Sequence, residues 1–265
     1  MAEQGDEDAD GELLGRVQSL VRAFGLLDEL SKCNGASLSD IARKVSLPRS
    51  TAHRLLTTME AMHFVQFDRI THEWSVGVKA FTVGASFVQT KDLGQIGRSI
   101  MRSLVTELHH SVNIAVHEGS GMCFVGQVAA TGIRQVIKPG SCLPLHTTAS
   151  GKVLMAHWHS DELEQFLDRR TLARRTAKSI VDPLALRDEL ALVRQRGYAI
   201  DDEEQADGLR CVAALVVDRY GEPRASISIS DTAARLAAGR IEELGPTMML
   251  AARQMSSEIV SQLGF

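Results

Sequence analysis

The chain is poor in cysteine, lacks any long apolar run and carries little net charge, and each shortage removes a class of protein. Its four cysteines, Cys33, Cys123, Cys142 and Cys211, are scattered over 265 residues with no CxxC pair. That spacing predicts free thiols in a reducing compartment and argues against a disulfide framework or a structural zinc. No stretch approaches the ~20 apolar residues needed to span a membrane. The first 12 residues hold six acids and no base, the opposite of a secretory signal. A cytoplasmic protein without membrane contact is therefore expected. With a net charge of -4, nothing in the bulk composition demands a polyanionic partner.

What is present points to two domains. The length and the 44% hydrophobic content suffice for two cores. Residues 13–91 carry ten Lys/Arg against six Asp/Glu, and residues 92–265 carry nineteen against twenty-one. The basic segment is where nucleic-acid binding is permitted. The expected division is a disordered acidic tail over 1–14, a DNA-binding domain over 15–77, a linker helix over 78–92 and a second domain over 93–265.

In the first domain Val17, Leu20, Val21, Phe24, Leu27 and Leu30 recur at helical spacing. Ser37 and Asp40 form a capping box for a short helix, which Ser46-Leu47-Pro48 breaks before a third helix begins. That helix puts Ala52, Leu55, Leu56, Met59 and Met62 on one face and Arg49, Ser50, His53, Arg54 and Thr57 on the other. The polar face has the residue types that contact phosphates and base edges; a solvated bundle face would look the same. Phe64–Phe67, a turn containing Arg69 and His72, and Trp74–Val76 then read as a basic-tipped wing. The winged helix-turn-helix expectation makes Pro48, Arg49, Ser50, Thr51, His53, Arg54, Thr57 and Arg69 the DNA-contacting candidates.

Val78, Phe81, Ala85 and Val88 form a seam suited to a partner helix, and Leu93–His110 reads as a second helix. Beyond it, Val112–His117, Met122–Val128 and Arg134–Ile137 read as strands. Thr147–Gly151 opens a helix over Lys152–Trp158, whose first amides suit a carboxylate. Asp182-Pro183 caps another helix ending near Arg196. The run Cys211–Val217 and the alternation Ser226, Ile227, Ser228, Ile229, Ser230 predict a hairpin with three hydroxyls on one face and two isoleucines on the other. Cys211 falls near Ser228 and Ser230, as a small core residue or as part of a site. A closing helix over Arg240–Leu263 is expected to be interrupted at Gly245-Pro246.

RVQSLVRAFGLLDEL, SLSDIARKVSLPRSTAHRLLTTMEA, LPLHTTASGK and GYAIDDEEQADGLRCVAALVVDRYGEPRASISIS resemble the IclR family of bacterial transcriptional regulators over nearly the whole chain. The resemblance implies an α+β protein: a winged helix-turn-helix, a linker helix used in dimerisation, and a GAF/PAS-like effector-binding domain with a curved antiparallel sheet. It implies a repressor that binds double-stranded operator DNA as a dimer or tetramer; the residues themselves lead us to expect no cofactor and no metal. Within the family the chain is most similar to the branch sensing glyoxylate, pyruvate or similar small acids. Carried over position by position, that branch's effector contacts fall on Ala149, Ser150, Asp201, Cys211, Ser228 and Ser230, with Leu143 and Leu209 as apolar walls. Two places depart from the family pattern: Ala149-Ser150 stands where a Gly-Ala pair is common, and Asp231-Thr232 where Gly-Pro is common.

Two other chemistries use the same residues. An enzyme acting on a small aldehyde or keto acid would employ Cys211 with Asp201 and His146, but a catalytic thiol needs a basic neighbour and the nearby charges are acidic apart from Arg210. A zinc site from His, Asp and Cys lacks tight ligand spacing.

Overall fold

The computed structural model describes residues 17–90, 93–119, 121–130 and 137–263. The expected acidic tail and all but Ile137 of the expected Arg134–Ile137 strand lie outside them. The chain divides into two compact units, residues 1–87 and 88–265, considered in turn.

The first unit is built on α1 (Gln18–Ser31), α2 (Leu38–Lys44) and α3 (Arg49–Ala61), followed by the hairpin β1 (Val65–Asp68) and β2 (Glu73–Val76). Ser37 caps α2 by accepting from the Asp40 amide at 3.2 Å, and its hydroxyl donates to the Asp40 carboxylate at 2.7 Å. Ser46, with φ 52°, turns the chain into Pro48, which precedes the first turn of α3. The core gathers Leu26, Leu30, Ile41, Ala42, Ala52, Leu56, Val65 and Trp74. The α1 stripe expected from periodicity splits: Leu30 is buried and Leu27 half-buried, whereas Val17, Leu20, Val21 and Phe24 are exposed. Helical spacing counts apolar residues on a face but does not say what covers them.

Helix α4 (Val78–Thr90) runs through the division, and α5 (Leu93–Leu108) follows. The second unit holds a six-stranded antiparallel sheet in the order β5-β4-β3-β8-β7-β6. Its strands are β3 (Ser111–Glu118), β4 (Gly121–Val128), β5 (Cys142–Pro144), β6 (Ala199–Asp202), β7 (Leu209–Val217) and β8 (Pro223–Thr232). The edge strands β5 and β6 escape a sequence reading, because three- and four-residue strands are too short for an alternation pattern to register; helix α7 (Ser160–Arg169) is simply overlooked there, although Leu163 and Leu167 stand at helical spacing and are buried.

Both faces of the sheet are covered. Ile227, Ile229, Val212 and Ala214 pack with Ile100 and Leu104 of α5 and with Met248, Ala252 and Met255 of α9 (Ala238–Leu263). The opposite face carries Cys211 and Ala213 and packs with α6 (Ala149–His157), α7 and α8 (Pro183–Arg196). The alternation in β8 thus places the isoleucines in one core, each worth roughly 1.5–3 kcal/mol when buried, and turns the serines to the other layer. Asp182 caps α8 by accepting from the amides of Leu184 and Ala185 at 3.4 and 3.2 Å. The expected interruption of α9 does not occur: Pro246 sits inside a continuous helix. Gly245 there leaves room for the Tyr198 ring, which a Cβ would overlap.

The expectation of four free thiols fails at Cys123 and Cys142, which are disulfide-bonded with a Cα–Cα distance of 4.0 Å. They lie directly opposite one another on β4 and β5, although 19 positions apart in sequence. Cys33 and Cys211 are free thiols.

Candidate DNA-contacting helix and inner cavity

Helix α3 has one buried face, through Ala52 and Leu56, and a polar face on which Arg49, Ser50, His53, Arg54 and Thr57 are exposed and Thr51 is half-buried. Pro48 is exposed just before it. Thr57 donates back to the His53 carbonyl at 2.9 Å, so its hydroxyl hydrogen is engaged within the helix. The His53 ring stands edge-on to Trp74 with centroids 6.5 Å apart, and Trp74 packs on Phe67 at 4.9 Å. This aromatic chain ties the wing to α3. The wing turn is set by Asp68, which accepts from the amides of Ile70 and Thr71 at 2.7 and 3.2 Å, and it leaves Arg69 exposed. All eight sequence candidates therefore lie on one helix, its leading residue or the wing tip. Nearby, α4 exposes Val78, Phe81 and Val83.

In the second unit an inner cavity opens between the sheet and the start of α6. Its apolar walls are Phe124, Ile137, Leu143, Ala149 and Leu209, and its polar wall is Thr148, Ser150, Asp201, Gln205, Cys211 and Ser228. The strand register explains the grouping: Asp201 lies opposite Cys211, Cys211 opposite Ser230 and Ala213 opposite Ser228. Seven of the eight candidates meet here. Ser230 is buried beside them but does not line the cavity; its hydroxyl accepts from Asn113 at 2.8 Å. Asn113 in turn accepts from Gln127 at 2.8 Å, and Gln127 also donates to the Ile137 carbonyl at 2.8 Å. A hydrogen-bonded chain thus runs from β8 to the cavity wall. The free volume is about 10 Å³, on the scale of one water.

Ala149 and Ser150 form the first turn of α6, where backbone amides have no acceptor within the helix. Thr148 caps that turn, accepting from the Gly151 amide at 3.0 Å. Gly151 is required by contact: a Cβ there would overlap the backbone of Leu145.

Asp201 is the electrostatic centre. Its carboxylate accepts from the amides of Glu204 and Gln205 at 2.7 and 3.2 Å. Burial, reinforced by the charge of Glu204, nevertheless pushes its pKa up to about 7, against the pull of those amides and of Lys152. Lys152 is itself buried, with Nζ 2.5 Å from Glu204 and 3.4 Å from Glu189. Burial also raises the Glu204 pKa despite that lysine. Gln205 accepts from Thr147 at 2.5 Å. Sequence reasoning missed Phe124, Ile137, Thr148, Gln205 and the Lys152–Glu204 pair. Only the DDEE run hinted at them, since a lysine inside LHTTASGK gives no sign that it is buried.

Burial, then the charges of Asp201 and Glu204, raises the Cys211 thiol well above its ordinary pKa, which leaves it protonated and unreactive. Arg210 is held by Asp202 at 2.5 Å on the other side of the strand. His146 lines a separate outer cavity, where its Nε2 donates to the Ala173 carbonyl at 3.0 Å. Among the described residues that line the cavity with Cys211 there is no His, Lys or Arg. Among the described residues no group of three or more His, Cys, Asp or Glu could hold a metal ion. At the second family departure, buried Asp231 accepts from His110 at 2.7 Å and Arg235 at 3.0 Å, joining β8 to the start of β3.

The IclR helix-turn-helix domain matches residues 19–69, and the domain described as the bacterial transcriptional regulator IclR C-terminal matches residues 85–257. The acetate operon repressor of Salmonella typhimurium is 39% identical over 247 residues, covering 91% of this chain and 90% of that protein. The transcriptional repressor IclR of Escherichia coli shows the same identity and coverage. The crystal structure of Thermotoga maritima IclR aligns with a TM-score of 0.73 at 27% identity, over 92% of this chain and 99% of the other. Matches in both units, in order and over most of the length, make the chain a member of the IclR family of bacterial transcriptional regulators.

Proposed function

We propose that the protein is a repressor that binds operator DNA through α3 and the wing and responds to a small carboxylic or keto acid in the inner cavity. The observation that carries the acid is the polar wall: the α6 amides at Ala149 and Ser150 stand with Ser228, Cys211 and a carboxyl whose pKa is near 7. A protonated Asp201 can donate to a ligand carboxylate or carbonyl, and amides and hydroxyls can do so without a full opposing charge. As it stands the cavity has room for about one water, so an acid of even a few carbons enters only as a wall gives way. Two close relatives are named repressors, which supports the sign of regulation.

Arg49, Ser50, Thr51, His53 and Arg54 are assigned to the major groove, with Thr57 and Pro48 flanking and Arg69 on the backbone beside the wing. The exposed Val17, Leu20, Val21 and Phe24 of α1 and the exposed Val78 and Phe81 of α4 supply apolar surface for a homodimer, which would read a pseudo-palindromic operator. No helix among the described residues is long and apolar enough to cross a membrane, consistent with a cytoplasmic regulator.

The test is an electrophoretic shift on DNA from upstream of the gene, at stated salt, with and without pyruvate or glyoxylate. Specific retardation that the acid changes is expected. Binding no better than to random DNA sinks the operator reading, and in a thermal-shift screen of small and aromatic acids stabilisation only by large aromatic compounds sinks the small-acid reading.

A further inference from the structure

We propose that Cys123 and Cys142 are a reversible thiol–disulfide site that latches the edge strand β5, and with it the Leu143 wall of the inner cavity. Relevance to effector access rests on the acid-sensing reading above; the latch itself does not.

Three observations lead there. The inner cavity is closed down to about 10 Å³, so a carboxylic acid needs one of its walls to give way. Leu143 lines both that cavity and an outer one of about 400 Å³, which makes it the partition between them. Strand β5, which carries Leu143, is three residues long and, among the described residues, lies at the sheet edge and pairs with β4 alone; its last residue, Pro144, has no amide hydrogen to donate. The covalent bond from Cys142 to Cys123 adds a tie to the short ladder with β4 and to the flanking Phe124–Ser141 hydrogen bond at 2.9 Å.

The sulfurs are reachable. Cys142 is exposed, Cys123 is half-buried, and both line the outer cavity together with Arg170 and His146. A low-molecular-weight thiolate attacks Cys142 Sγ; the disulfide breaks and Cys123 leaves as thiolate, taking up a proton. A second thiolate then attacks the sulfur of the first, and Cys142 leaves as thiolate and takes up a proton, giving a small-molecule disulfide and the Cys142 thiol. Two electrons and two protons enter the protein, and a small-molecule disulfide reverses the sequence. Cys211, buried with a raised pKa, stays out of the exchange.

The full-length protein is equilibrated in glutathione buffers of graded ratio, quenched in acid and alkylated. Mass spectrometry is expected to show a Cys123–Cys142 linkage that carries no alkyl group, against two alkylated cysteines in the reduced form, with a midpoint inside the series. Hydrogen exchange at residues 141–145 should be about tenfold faster in the reduced form, and Cys142→Ser should match the reduced form in every buffer. Pyruvate should associate several-fold faster with the reduced protein. Thiols that stay free across the series, or equal exchange at 141–145 in both forms, overturn the latch. Redox-dependent exchange with no pyruvate response in either form supports the latch and defeats the acid-sensing reading instead.

Discussion

The carboxyl of Asp201 lies across the β6–β7 ladder from Cys211 and is tethered by the Glu204 amide at 2.7 Å. Its pKa of about 7, raised by burial and the charge of Glu204 against an ordinary 3.8, links it to stability. The folded state holds this proton where the unfolded chain has released it. The native state is therefore disfavoured as pH rises from about 4 to about 7, by on the order of 4 kcal/mol from this group, and the effect is flat above that. Asp201→Asn keeps an oxygen for both amides and should flatten that slope, leaving the variant more stable than the parent at pH 8 in urea titrations. An unchanged slope would show that Asp201 titrates normally.

The same proton sets a pH dependence for the proposed effector. If a carboxylate binds beside protonated Asp201, its dissociation constant should rise above pH 7, approaching tenfold per pH unit. Calorimetry with pyruvate at pH 6, 7 and 8 reads this directly, and a pH-independent constant removes Asp201 from the donor set.

Lys152 and Glu204 form a pair that neither partner survives alone. Lys152→Met leaves Glu204 buried without its cation, and a loss of about 3–5 kcal/mol is expected from such a broken pair. Adding Glu204→Gln should recover part of that loss. Equal destabilisation in the single and double variants would mean that the pair does not interact.

Two serines two residues apart on β8 should behave differently. Ser226 is buried and its hydroxyl has no hydrogen-bond partner among the described residues, so Ser226→Ala should be neutral or up to about 1 kcal/mol stabilising. Ser228 lines the cavity, so Ser228→Ala should weaken pyruvate binding while changing the denaturation midpoint little. The reverse pattern would move the site along β8.

On the DNA side, Arg54→Ala and Arg69→Ala should each weaken operator binding. Where the lost contact is to phosphate, the salt dependence of log K should fall by about one unit of slope. His53→Ala should also loosen the wing, because the ring packs on Trp74; a drop in melting temperature beside the affinity loss separates the two roles.

Patterns local in sequence were legible without coordinates: the Ser37 and Asp182 caps, the apolar and polar faces of α3, and the serine–isoleucine alternation of β8. Periodicity and capping act over a few residues, so the chain itself carries them. The tertiary structure decided what depends on distant segments meeting. It showed that the exposed stripe of α1 is not its core face, and that Pro246 is absorbed into a continuous helix. It buried Lys152 against Glu204, set Ser230 behind Asn113 rather than on the cavity, and brought Cys123 against Cys142. In each case the deciding quantity is burial or a partner supplied by another element. A residue type states what a side chain can do, but only packing states what lies within reach of it.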